Sequence, residues 1–155
     1  MICVRRVGFV AVVLGAIAGL SGCSTVLLNR PSARQADGWT ITLGEVRDGP
    51  NVYPTGGTNY GPGDAEKFIW TVVTIRNDVA AVRSFSYDAC ALDGKGQSYV
   101  PVLVDRHTII NSLTEKSESF DPGQVRTRRL IFSYPEALLP AEMRCGPMAW
   151  PIPHS

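Results

Sequence analysis

Hydrophobic and polar positions along the chain fall into three regimes. From Val7 to Leu20 there are 14 residues without a charge, rich in Val, Ala, Leu and Ile, directly after Arg5 and Arg6. A transmembrane helix needs about 20 apolar residues to cross the hydrocarbon core. This run is shorter and ends in small residues, as a removable secretory signal does. From Ser24 to Ala36 large apolar side chains stop after Leu28, and the stretch predicts a flexible spacer with too little apolar surface to offset its ordering entropy. A weak helical turn at its start, Val26 to Asn29, is the one alternative.

From Gly38 a period of two takes over. Trp39, Ile41 and Leu43 alternate with Thr40, Thr42 and Gly44, the signature of a half-buried strand. Residues 67–77, KFIWTVVTIRN, carry β-branched or aromatic side chains on both faces and predict a central strand covered on both sides. Ser84 to Leu92 predicts another strand, Asp93-Gly94-Lys95-Gly96 a hairpin turn, and Gln97 to Val104 the returning strand. Pro122 and Gly123 mark a turn ahead of a strand from Val125 to Tyr134. Met143 to Met148 predicts a last strand, and Pro147, Pro151 and Pro153 confine the tail to an edge.

Three segments read differently. Gly49 to Gly63 holds five Gly and three Pro without periodicity and predicts a long surface loop. Its Tyr53 and Tyr60 fit either a recognition loop, in which Tyr supplies rigid contact area, or a disordered insertion. Asp105 to Glu118, with Ile109, Ile110 and Leu113, predicts one or two helical turns, and Glu136 to Leu139 another. Short strands with turns between them and no long amphipathic helix predict an all-β, immunoglobulin-like β-sandwich over residues 37–155.

Leu20-Ser21-Gly22-Cys23 resembles the lipobox of bacterial lipoproteins: Leu, a small residue, Gly or Ala, then Cys. The resemblance implies a signal peptide over 1–22, cleavage between Gly22 and Cys23, and a diacylglyceryl group on the Cys23 thiol ahead of a linker over 23–36. Each buried methylene contributes about 0.8 kcal/mol, so two or more acyl chains would tether the protein to a membrane stably. Ser24 is not the Asp that retains many such proteins in the inner membrane. An outer-membrane anchor facing the periplasm is therefore expected if the source is Gram-negative.

Cleavage would remove 22 of 155 residues, leaving one domain's worth of chain. It would also remove Arg5 and Arg6, shifting the formal charge from +1 to −1, and no electrostatic case for nucleic acid survives. Cys3 is discarded and Cys23 acylated, so Cys90 and Cys145 stand as an even pair in an exported, oxidising compartment and predict a disulfide. The bridge is expected between strands facing each other across the sandwich, with Cα atoms about 4.4 to 6.8 Å apart, and would contribute roughly 4 kcal/mol on the chain-entropy model.

Three blocks, KFIWTVVTIRN at 67–77, ACALDGKGQSYVP at 89–101 and FDPGQVRTRRLIFSYPE at 120–136, follow an opening strand WTITLGEVR at 39–47. In this order they resemble the telokin-like, immunoglobulin-fold family of exported bacterial proteins, domain-of-unknown-function family 4352. The resemblance implies a sandwich fold and frequent lipid anchors, and supplies no catalytic residue to carry over. The cysteine pair is no general mark of that family.

Candidate chemistry is sparse. His107 and Asp105 would share a face of an extended segment, but a hydrolase needs a nucleophile within about 3 Å of its base, and no Gly-x-Ser-x-Gly elbow supplies one. His107 is expected to be a surface loop histidine and no residue is assigned as catalytic. His154 lies beside the C-terminus; two histidines without His-x-x-x-His or Cys-x-x-Cys imply no metal site and no cofactor. Arg126 and Arg128 share one face of their strand and, with Arg129, fit either an anionic partner or, the favoured reading, a solvated face that discourages aggregation. The expected role is a non-enzymatic binding module for an envelope protein or cell-wall partner. A small-molecule carrier and a hydrolase are the alternatives.

Overall fold

The computed structural model describes residues 25–55, 57–108 and 112–153. Gly22, Cys23 and the signal segment lie outside these residues, as do Ile109, Ile110 and His154. Among the described residues thirteen strands fold in the order β1 (Val26–Ala36), β2 (Trp39–Asp48), β3 (Tyr53–Thr55), β4 (Thr58–Tyr60), β5 (Glu66–Asn77), β6 (Arg83–Ser86), β7 (Cys90–Gly94), β8 (Gln97–Tyr99), β9 (Leu103–Asp105), β10 (Ser117–Phe120), β11 (Val125–Pro135), β12 (Glu142–Cys145) and β13 (Met148–Pro151).

One layer is an antiparallel five-stranded sheet ordered β1-β2-β5-β11-β9. The other is built from the sheet β13-β12-β7-β8 and the pair β10-β6. Ile41, Leu43, Val73, Ile75, Leu130 and Phe132 from the first layer meet Leu92, Met143 and Trp150 from the second in one buried core. The expected β-sandwich is observed.

The spacer expected over 23–36 is, from Val26 onward, strand β1, paired with β2 from Val26↔Arg47 to Ala36↔Trp39. Its composition is polar because an edge strand needs little apolar surface: ladder hydrogen bonds order it, and Leu27 and Leu28 pack against the core. Bulges between Val26 and Leu28 and between Asn29 and Ser32, together with Pro31 and the exposed Arg30 and Arg34, keep this edge from pairing further. Trp150 of β13 donates its indole N–H to Ser32 O at 3.0 Å, joining the first strand to the last.

The Gly-rich segment is also corrected. Its middle forms the β3–β4 hairpin, with Tyr53 opposite Tyr60. Tyr53 is fully buried with Phe68, Trp70 and Ile131 in a second cluster on the outer face of the large sheet. The hairpin thus covers the N-terminal half of β5 on the side away from the core, which explains the apolar residues on both faces of KFIWTVV. Beyond it the outer face carries the partly exposed Val72 and Thr74 and the exposed Arg76.

The strand expected over 84–92 is broken by a 3-10 turn at Tyr87–Ala89, and the helical turns expected in 105–118 are absent among its described residues, which end instead in the start of β10. The hairpin at Asp93 turns on Lys95 and Gly96, both at positive φ (48° and 77°), while Gly94 remains in β7. Met143 to Met148 is two strands, reversed at Gly146 with φ 56°.

Cys90 and Cys145 are bonded, with the sulfurs 2.11 Å apart. The bridge does not cross the sandwich. The two residues are directly opposed on the adjacent strands β7 and β12 of one sheet, with Cα atoms 3.9 Å apart, closer than the range expected. Gly146 donates its N–H to Ala89 O at 2.9 Å just beyond them, which puts the cysteines at the close, non-hydrogen-bonded position of the ladder.

Candidate functional site

Asp105 ends β9 and is completely buried. Its Oδ2 accepts the Tyr53 hydroxyl at 2.9 Å and Arg129 Nη1 at 3.0 Å, and its Oδ1 accepts the backbone N–H of His107 at 2.8 Å. Arg129, on the outer face of β11 beside Ile131, stacks 4.9 Å from the Trp70 ring. Its Nη2 also lies 3.2 Å from His107 Nδ1. Acid, imidazole and hydroxyl therefore do converge here. A buried carboxylate whose oxygens are taken by three donors has no face for a substrate, and what the cluster does is hold the β3–β4 hairpin against the sheet. His107 is half-buried with φ 61° and belongs to this knot, not to a free surface loop.

Arg126 and Arg128 point toward the core side of β11, in register with Leu130 and Phe132, where the space between the layers opens. Glu118 of β10 meets both. Arg126 Nη1 donates to Oε1 at 2.9 Å, and Arg128 binds in bidentate fashion, Nε to Oε2 at 2.6 Å and Nη2 to Oε1 at 2.7 Å. The Tyr87 hydroxyl donates to Oε2 as well. Burial alone would raise the Glu118 carboxyl, but the Arg128 bonds, the Tyr87 hydroxyl and the two guanidinium charges outweigh it and hold it at about 2. Burial and then Glu118 push the Tyr87 hydroxyl above its usual range. The solvated arginine face is thereby corrected: Arg126 and Arg128 are spent on Glu118 and Arg129 on Asp105.

Glu118 and Arg126 form one wall of an open cleft of about 640 Å³, lined also by Arg106, Glu115, Ser117 and Ser119. Arg106 is exposed and makes no ion pair among the described residues. A second concavity of about 350 Å³ lies beneath Tyr60, bounded by Phe68, Val102, Leu103 and Ser133. Tyr60 is 43% exposed, so of the two tyrosines expected in a recognition loop only this one faces solvent. Among the described residues no group of three metal-ligating side chains comes together, and no helix is long and apolar enough to cross a membrane.

The sequence signal missed for Glu118 was available: arginines at core-facing register on a strand require an acid opposite them. Tyr53 gave no such signal, because the acid that accepts its hydroxyl, Asp105, is 52 residues away.

No family model matches the chain, and no curated protein does. Two solved structures are similar to it. One is described as an uncharacterized beta-sandwich protein from Clostridium difficile 630, with 16% identity, 76% of this chain and 82% of that one covered, and a TM-score of 0.48. The other is a functionally unknown protein from Listeria monocytogenes EGD-e, with 15% identity, 76% and 70% coverage, and a TM-score of 0.48.

Proposed function

We propose that this chain is a lipid-anchored, non-enzymatic interaction module of a bacterial cell envelope, tethered through Cys23 and offering its cleft to an envelope protein or wall component. Kinship with the telokin-like family is part of the same proposal. The observation that carries the binding role is the cleft beside Glu118: open, polar, built on an ion-paired floor, and lined by Ser117, Ser119 and Arg106, whose guanidinium makes no ion pair among the described residues. Rigid floors with a few free polar groups are what recognition sites need, since little ordering entropy is then lost on binding.

The binding test is a photo-crosslinking amino acid placed at Ser119 in cells expressing the full chain. The expected result is a discrete adduct that is lost with Arg106→Glu and absent when the probe replaces Asn29 on β1. Adducts of the same pattern from both positions, or none from Ser119, would end the reading. The anchor is tested separately by fatty-acid labelling, where Cys23→Ser should abolish the label.

A second reading, carriage of a small apolar molecule, is favoured by the groove beneath Tyr60, whose size of about 350 Å³ and apolar walls suit such a ligand. Retention of a defined lipid or other small molecule by purified protein, lost in Phe68→Ala, would select it.

A further inference from the structure

Strand β1 leaves almost no tether. Asp48 donates its N–H to Thr25 O at 2.9 Å, so the folded ladder begins at Thr25 itself. Two peptide units separate Thr25 from Cys23, a span of at most about 7 Å. A domain so close to an acylated cysteine cannot stand clear of the headgroups.

The surface at that end is suited to contact. The partners of the chain there are the end of β2, the start of β5 and the end of β11, with Pro135 opposite Glu66 and Glu136 N–H bonded to Ala65 O at 2.9 Å. Val26, Leu27, Leu28 and Pro153 line an open groove, and Val26 is 48% exposed. Ile152, next to Pro153, donates to Ala141 O at 2.9 Å, which brings the 56% exposed Leu139 to the same end. Of the eight large hydrophobic residues that are exposed among those described, Val26, Val52, Tyr60, Val100, Val102 and Leu139 belong to this half of the sandwich. The other two, Val82 and Val125, lie by the opposite turns.

Resting on the anchor reading above, we infer that this end of the sandwich sits in the headgroup layer of a phospholipid bilayer, with Val26 and Leu139 in contact with lipid and the cleft beside Glu118 held away from the membrane. The ten residues of β2 span roughly 34 Å, which sets the height of the far turns. The rim is mixed in charge, with exposed Arg30 and Lys95 set against exposed Asp64 and Glu136. The contact is therefore apolar and geometric and does not depend on anionic lipid.

The test uses the intact lipoprotein in phosphatidylcholine vesicles that carry a headgroup nitroxide, with a fluorescent amino acid in place of Val26, Leu139, Val82 or Val125. Quenching several-fold stronger at 26 and 139 than at 82 and 125, unchanged when phosphatidylglycerol is added, is the expected result. Equal quenching at all four positions in protein that floats with the vesicles would overturn the orientation and leave the anchor standing. Failure to float would overturn the anchor, and the orientation with it. Asymmetric quenching only with phosphatidylglycerol would replace the apolar contact by an electrostatic one and refute the inference as stated.

Discussion

The hydroxyl of Tyr53 donates to the Asp105 carboxylate at 2.9 Å, across 52 residues of sequence. That bond fixes a short hairpin, which could not be stable alone, onto the outer face of β5 and β11. Tyr53→Phe keeps the ring packing and removes one donor from a buried charge. It should lower stability by about 1–3 kcal/mol, read as a shift in urea midpoint without a change in slope. Asp105→Asn should cost more, about 3–5 kcal/mol, because it leaves Arg129 buried without its counter-charge. A larger loss in Tyr53→Phe than in Asp105→Asn would contradict this ordering.

Glu118 gives the stability a defined acid limb. Its folded carboxyl sits at about 2, below the ordinary value, so its contribution is fully present above about pH 4.5 and is lost as pH falls through 2. Solvent screening keeps the contribution to at most about 2 kcal/mol. Melting temperature followed from pH 7 to acid should therefore fall less steeply below pH 4.5 in Glu118→Gln than in the natural chain, from a lower starting value. Parallel acid limbs would show that other carboxylates govern the decline.

The Cys90–Cys145 bridge joins strands that are already hydrogen-bonded neighbours, so its loss should loosen rather than detach β12 and β13. Mass analysis of unreduced protein should show a two-proton deficit. The double variant Cys90→Ala with Cys145→Ala should lose about 2–4 kcal/mol, with faster amide exchange concentrated in residues 142–151. Uniform acceleration across both sheets would argue against a local staple.

Gly49 passes so close to Trp70 that a Cβ there would lie 2.0 Å from Cδ1 of the indole. Gly49→Ala must displace that ring from the Tyr53 cluster, at a cost of about 1–3 kcal/mol. A shifted Trp emission spectrum in the folded state should accompany it, and an unchanged spectrum with unchanged stability would mean the ring yields freely.

The strands on which the sandwich is built were legible because strand chemistry is a local property: β2 alternates with a period of two, while β5 and β11 are rich in β-branched and aromatic residues. Strand β1 was not: a polar edge strand is composed like a linker, and what orders Asn29 to Gln35 is the neighbouring β2. The 49–63 segment failed for the same reason in reverse, since its turn residues were read correctly but the burial of Tyr53 depends on Asp105 and Trp70. The disulfide was deduced from elimination and compartment, which say that two cysteines pair but not which strands bring them together. Glu118 lay in a stretch expected to be partly helical, so its place opposite Arg126 and Arg128 was hidden until β10 was seen beside β6.

The indole of Trp150 reaching Ser32, 118 residues earlier, has a bearing on when this molecule can exist at all. A chain emerges from synthesis with its N-terminal residues first, and here the early strand β1 is locked by the late strand β13. Until β13 is available, β1 lacks the indole contact and β12 lacks its return strand. Completion of the fold thus waits on β13. A product truncated even shortly before Trp150 would carry an open seam along one side.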